Sequence, residues 1–309
     1  MDGDLSSLGL VLSHFSWDVP WLIGLVLPAG WYVRAFLKAR ALPERRRHDR
    51  RRAVFFLSGL LLVGVSVLSP LEYYGNQVLW LNFTGFLLLT MIAAPLIVLG
   101  SPLTLAFRVN GKAGRARLRR FSRSQIVRRL TFPPVAWLLF AVVTFLWQLT
   151  RLTDIAAQDV FVRDAQQVSL LAVAVLFWTP ALCADPLRWR MPFPLRALYV
   201  FVEMTHKALF GAVFLSLNRP MHHYFATHLP GWAPSPMLDQ RVAIGTLWVG
   251  GNVIFLSVLV GLIIGWMRYE ARSTHRIDRR LALRRAAERQ RQVALDQVFG
   301  RSSPAGRPR

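Results

Sequence analysis

Cysteine is almost missing from this chain: Cys183 is the sole one in 309 residues. A single thiol excludes an intramolecular disulfide and a cysteine-paired metal centre. Its place at the end of an apolar run suits a small apolar filler. Charge is scarce as well. Asp, Glu, Lys and Arg make up 17% of the residues, against about a quarter in soluble domains. No Lys or Arg precedes the first apolar run, so the basic start of a secretory signal peptide is lacking and the first helix is expected to stay in place. There is no glycine-rich phosphate loop, no nucleophile elbow and no HExxH zinc pair, and these absences argue against an enzyme. No internal repeat is evident.

Apolar runs are abundant, since hydrophobic residues make up 54% of the chain. A helix needs roughly 17–25 mostly apolar residues to cross a bilayer. Seven stretches meet that demand: Val19–Leu37, Ala53–Ser69, Val78–Leu99, Pro133–Leu152, Val168–Ala184, Leu195–Leu217 and Val242–Met267. The net charge of +22 is gathered into blocks between these runs. Basic blocks beside apolar spans point to anionic lipid headgroups, not to nucleic acid. Of the 38 Lys and Arg, 33 fall in three alternate connections and in the tail, 4 in the other connections, and Lys207 lies inside a span. The positive-inside rule then sets the orientation. The sequence therefore predicts an all-α membrane protein, a bundle of about seven transmembrane helices with its N-terminus outside and its C-terminus cytoplasmic. Residues 1–18 are expected outside, 19–267 in the bundle, and 268–309 as a basic cytoplasmic tail, helical and then disordered over residues 300–309. The loop NGKAGRARLRRFSRSQIVRR is expected as a basic surface helix.

Polar residues inside spans are costly and mark candidate sites. Span three carries Asn82, Thr84 and Gly85, span four Gln148, and the start of span five Asp164, Gln166 and Gln167. Hydrogen bonding between helices accounts for amides and hydroxyls of this kind. Span six carries Glu203, His206 and Lys207. Glu203 and Lys207 stand four apart, which predicts a salt bridge on one helix face, with a proton relay or transport role as the sharper reading. The loop before span seven holds His222, His223, His228 and Asp239. Of these, His222, His223 and Asp239 are candidate ligands for copper or another divalent ion, although helical ligand spacing is lacking. Trp232 and Tyr224 suit an anchor at the headgroups.

Several segments together carry a family resemblance. They are SPLEYYG, MIAAPLIVLGSPL, FPPVAWLLFAVVTFLWQL, LFWTPAL, RALYVFVEM and SPMLDQRVAIGTLWVGG, in order from about Ser69 to Met267. The chain resembles the CtaG family of caa3-type cytochrome c oxidase assembly proteins. The resemblance implies a seven-helix protein of the bacterial plasma membrane that helps the terminal oxidase mature, through copper, with oxidase subunits as partners. It also implies histidines near the outer ends of spans three to five, one pair four apart on a helix face. The matching positions here hold Asn82, Phe86, Gln148 and Gln167, so the implied ligands are replaced. The motif residues Asp239, Gln240, Gly245 and Trp248 do match. Asp239 and Gln240 suit either capping of span seven or contact with an oxidase subunit.

Three functional classes follow. The first is a non-enzymatic assembly factor, either keeping copper through the loop histidines or acting as a repurposed scaffold without metal. The second is a small-solute or ion transporter, motivated by Glu203, His206 and Lys207. That reading lacks the paired, Gly/Pro-broken helices of related halves. The third is a membrane enzyme, for which no catalytic set is present.

Overall fold

The computed structural model describes Phe15 and residues 18–42 and 48–298. The expectations for the N-terminal stretch, residues 15 and 18 aside, and for residues 300–309 fall outside that range. Among the described residues the chain is all-helical, with no strand. Helices α1 (Val19–Arg40) and α2 (Arg50–Leu68) are followed by the short α3 (Pro70–Gly75). A long third stretch comprises α4 (Leu79–Leu87), a π-helical segment (Leu88–Ala93), α5 (Ala94–Leu99) and α6 (Pro102–Val109). The basic loop forms α7 (Lys112–Ser122) and α8 (Gln125–Leu130), neither with a buried residue. Then come α9 (Pro133–Leu149), α10 (Leu152–Gln158), α11 (Val160–Leu182), α12 (Phe193–Leu215) and α13 (His223–Thr227). The last stretch is α14 (Pro236–Gly245), a second π-helical segment (Thr246–Gly250) and α15 (Gly251–Val298). The chain forms two compact units, one ending at Leu259 and one beginning at Val260; the second is the C-terminal part of α15.

Among the described residues five helical stretches are long and apolar enough to cross a membrane: Val19–Arg40, Arg50–Leu68, Leu79–Val109, Val160–Leu182 and Pro236–Ala271. Counting α9 with α10, which bend by 68° at their junction, brings the number to six. The run expected over Leu195–Leu217 is the 23-residue helix α12. It carries Glu203, His206 and Lys207 and is not among the six. The fifth span begins at Val160, earlier than the expected Val168, because its charges are provided for. Asp159 caps it by accepting from the amides of Phe161 at 2.8 Å and Val162 at 3.1 Å. Asp164 accepts from the Trp21 indole at 2.8 Å, and Arg163 pairs with Glu72 at 2.9 Å.

Close helix packing rests on two glycines. A Cβ on Gly59 would lie 2.9 Å from the Ile97 amide nitrogen and 3.0 Å from the Ala93 carbonyl oxygen. A Cβ on Gly100 would lie 2.5 Å from Phe56 Cβ and 3.0 Å from its Cα. Small residues here let backbones approach to where dispersion and hydrogen bonds hold helices together in lipid. Tyr32, fully buried, stacks on Phe56 with centroids 4.1 Å apart. Its hydroxyl donates to the Gly100 carbonyl at 2.7 Å and lies 2.9 Å from His48 Nε2. Burial lowers the pKa of His48 below its ordinary value, favouring the neutral ring.

The junction between α5 and α6 turns through Ser101, a left-handed residue with φ 51°. Its hydroxyl donates to the Ala184 carbonyl at 3.2 Å. Beside it, Asp185 accepts from the amides of Leu103 at 3.3 Å and Thr104 at 2.7 Å, and from the Thr104 hydroxyl at 2.7 Å. An aspartate from the connection after α11 thus caps the start of α6, satisfying donors that have no partner within their own helix. Burial raises the Asp185 pKa, against the lowering effect of those hydrogen bonds. Cys183 ends α11 in the left-handed region, and its thiol donates to the Pro180 carbonyl at 3.0 Å.

Candidate functional site

The opposite end of the bundle gathers most of the polar residues picked out from the sequence. Asn82 and Phe86 lie one turn apart on α4, Gln148 ends α9, and Gln167 sits in the second turn of α11. The structure distributes them over two neighbouring cavities that share Phe86 as a wall. The first, of about 20 Å³, is lined by Phe86, Thr144, Gln148, Glu203, His206, Lys207 and Trp248 among others. That is room for about one water. The second, of about 50 Å³, is lined by Glu72, Asn76, Asn82, Phe86, Arg163, Gln166 and Gln167 among others.

The first cavity is rich in unsatisfied polar atoms. Thr144 Oγ1, Gln148 Nε2, Glu203 Oε2 and both ring nitrogens of His206 are buried without a hydrogen bond among the described residues. Glu203 is 1% exposed. Its carboxylate lies 3.5 Å from His206 Nδ1, so the contact one turn along is with residue i+3, not with Lys207 at i+4 as the spacing predicted. The Lys207 ammonium lies 3.5 Å from Met91 Sδ and over the rings of Phe255, Phe86 and Phe140, at 5.3, 5.6 and 5.7 Å. An aromatic enclosure holds this half-buried ammonium through the ring quadrupoles.

Two π-helical segments flank this cavity. Leu88–Ala93 follows Phe86 and precedes Pro95, whose ring disfavours the ordinary i→i−4 contact with Met91. Thr90, fully buried in that segment, accepts the Trp178 indole hydrogen at 2.9 Å through its carbonyl. Thr246–Gly250 carries Trp248, and Gly245 precedes it. Gly250 faces Leu87, whose Cδ1 would be 2.9 Å from an added Cβ. Of the motif residues, Trp248 forms part of the cavity wall.

The second cavity centres on the ion pair of Glu72 and Arg163, with Gln167 Nε2 donating to Glu72 at 3.4 Å. Burial pushes the Glu72 carboxyl up to about 7, against the lowering effects of Arg163 and Gln167. Its ordinary value is 4.5, so folding takes up a proton between those values. The stability contributed by protonated Glu72 is full below about pH 4.5 and lost as pH rises through about 7. In Glu72→Gln that dependence should vanish. The advantage of wild type over the variant should shrink by up to about 3 kcal/mol between pH 5 and pH 8, measured by denaturation in detergent at both pH values.

The loop histidines separate. His222 is 2% exposed, with Nδ1 3.6 Å from the Asp154 carboxylate and Nε2 3.2 Å from the Gln148 carbonyl. His223 is exposed, and His228 stacks on Tyr224 with centroids 4.5 Å apart. Asp239, also 2% exposed, uses both carboxylate oxygens on backbone donors: Leu79 at 2.9 Å and Trp80 at 3.1 Å. Gln240 accepts from the Met221 amide at 2.7 Å. Asp239 thus fastens the start of α4, and Gln240 the loop before α14, in place of capping their own helix. Among the described residues no group of three or more His, Cys, Asp or Glu is arranged to hold a metal. The four positions of the implied ligands offer amides and a phenyl ring, not imidazole, thiolate or carboxylate. That donor set does not fit copper.

The family of the cytochrome c oxidase caa3 assembly factor (Caa3_CtaG) matches residues 30–269, which takes in both cavities and every residue named around them. The chain belongs to this family. It is also similar to the Uncharacterized protein Mb0105 of Mycobacterium bovis, at 27% identity over 272 residues, 84% of this chain. A protein of Mycobacterium leprae, Uncharacterized protein ML1998, is 26% identical over 275 residues, 85% of this chain. The chain spans 41% of the length of each of these relatives. No solved structure gives a significant match. The positions Asn82, Phe86, Gln148 and Gln167, where the resemblance implies ligands, line the two cavities that share Phe86.

Three features of the site were missed from the sequence. Asp154 and His222 stand far apart in the chain and meet only through the bend between α9 and α10. In the sequence Glu72 stands out only as part of SPLEYYG. The signal for the first π-helical segment was Pro95 inside an apolar run.

Proposed function

We propose that this chain assists the assembly of cytochrome c oxidase in the bacterial plasma membrane, as a non-catalytic seven-helix scaffold that no longer uses copper at the family positions. In this reading α12 completes the seven spans, and the end carrying Asn82, Gln148 and Gln167 faces outward. The observation that carries the reading is the convergence of the four replaced ligand positions on cavities closed by Phe86, a side chain that cannot coordinate. These cavities are lined by amides and a phenyl ring at the positions of the implied ligands, which suits a structural role toward an oxidase subunit. The version with copper on His222, His223 and Asp239 has less support. His222 is engaged by Asp154 and Gln148, and Asp239 by Leu79 and Trp80. A transporter reading through Glu203 and His206 has less support as well, since their cavity has room for about one water.

Deletion of the gene should lower oxidase activity and the haem spectrum of the mature enzyme in membranes, with recovery on complementation. Unchanged spectra and activity would sink the assembly reading. Stoichiometric copper in the purified protein, lost in the double variant His222→Ala and His223→Ala, would overturn the metal-free version alone.

A further inference from the structure

The end of the bundle away from those cavities carries a second concave site. The cleft, of about 600 Å³, is lined by Arg119, Ser122 and Arg123 from the α7 region, by Phe107 of α6, and by Pro186, Leu187 and Arg188 after α11. All three arginines are exposed. Their convergence is built in. The Trp189 indole donates to the Arg128 carbonyl at 2.8 Å, and its ring lies 4.9 Å from that of Phe132. These contacts tie the connection that carries Arg188 to the loop that carries Arg119 and Arg123.

No carboxylate neutralises this group from its own elements. The sequence has no Asp or Glu between Glu72 and Asp154, nor between Asp185 and Glu203. Asp185, the acid next to the cleft, has its oxygens engaged by Leu103 and Thr104. Three guanidinium groups held together repel one another unless an anion joins them. Guanidinium forks match phosphate oxygens, often in bidentate fashion. Phe107, Pro186 and Leu187 add an apolar wall to the same cleft. Beside it, Phe121 is 59% and Ile126 72% exposed on otherwise basic helices. Apolar side chains among arginines on a short amphipathic helix mark a surface that lies at the membrane interface.

The geometry points to a phosphate-group site formed by Arg119, Arg123 and Arg188, filled by the headgroup of an anionic phospholipid. This goes beyond the diffuse attraction of basic loops to a charged leaflet, because it assigns a defined cleft. It stands apart from the assembly reading, since lipid retention is measured without oxidase.

The full chain, purified in detergent, would be placed in discs of phosphatidylcholine with a minor share of phosphatidylglycerol. Lipids retained after re-extraction would then be quantified. The triple variant R119Q/R123Q/R188Q should retain at least about tenfold less phosphatidylglycerol, since each basic residue near an anionic surface adds to the binding. The variant R285Q/R289Q/R291Q removes the same charge from the exposed tail helix and should retain nearly as much as wild type. Equal loss in both variants, or no loss in the cleft variant, overturns the site. If inorganic phosphate in detergent binds the cleft while phosphatidylglycerol shows no preference over phosphatidylcholine, the lipid assignment fails. Should the triple variant not fold, Arg188→Glu alone, on a separate exposed connection, carries the same test.

Discussion

Asp239→Ala should cost this protein about 3 kcal/mol or more of stability, and with it the oxidase-directed function. Asp239 is buried, and its two carboxylate oxygens accept from the amides of Leu79 and Trp80. The first amides of a helix have no partner in their own helix. Alanine leaves two of them buried and unpaired, at about 1–3 kcal/mol each. The loss falls on the start of α4, one turn before Asn82 and two before Phe86, so both cavities should loosen together. Asp239→Asn keeps one acceptor oxygen but turns an NH₂ group toward the second amide, and should fall between. Leu238→Ala, at a residue 51% exposed, should change little. Thermal denaturation of the three variants in detergent orders them. A melting point for Asp239→Ala equal to that of Leu238→Ala would show that water or a neighbouring group replaces the carboxylate.

Gly100→Val should be as damaging for a steric reason. Even the first side-chain carbon would meet Phe56 Cβ at 2.5 Å and Phe56 Cα at 3.0 Å. Part of that contact is backbone, so no rotamer change relieves it, and α2 must move off the helix that ends at Gly100. Overpacking of this kind costs about 1–3 kcal/mol where a core can give. Here the movement also disturbs the Gly100 carbonyl, which accepts from Tyr32 at 2.7 Å. The expected result is poor yield of folded protein from membranes and early unfolding in detergent. Gly24→Val is the matched control, since nothing lies within 4 Å of an added Cβ there. Equal behaviour of the two variants would refute the close-approach account.

The helices were legible in the sequence because span length and hydropathy are local properties. Boundaries were less so where a charge finds its partner elsewhere. Arg163 and Asp164 read as loop residues until Glu72 and Trp21 are seen to satisfy them. The site was half legible. Glu203, His206 and Lys207 stood out as polar residues in an apolar run, yet spacing alone cannot choose between neighbours at i+3 and i+4. The carboxylate lies by the imidazole, and the ammonium has a better place among three rings. Asp239 was recognisable as a capping type of residue. Which helix it caps is a tertiary fact, 160 positions away in sequence. Asp154 carried no signal at all, because a lone acid after an apolar run is ordinary until the bend of α9 and α10 sets it against His222.

The stretch from Leu79 to Thr104 has an aspartate from a different part of the chain at each end, Asp239 at one and Asp185 at the other. A rod pinned at both ends has a fixed contour. Any mismatch between its rise and the distance it must bridge has to be taken up along its length, and a π turn holds more residues per unit rise than an α turn. The segment Leu88–Ala93 therefore serves as the slack of the rod. It follows the Phe86 wall directly and itself carries Met91, the contact of Lys207, so a change in its winding would move both while the two pins hold.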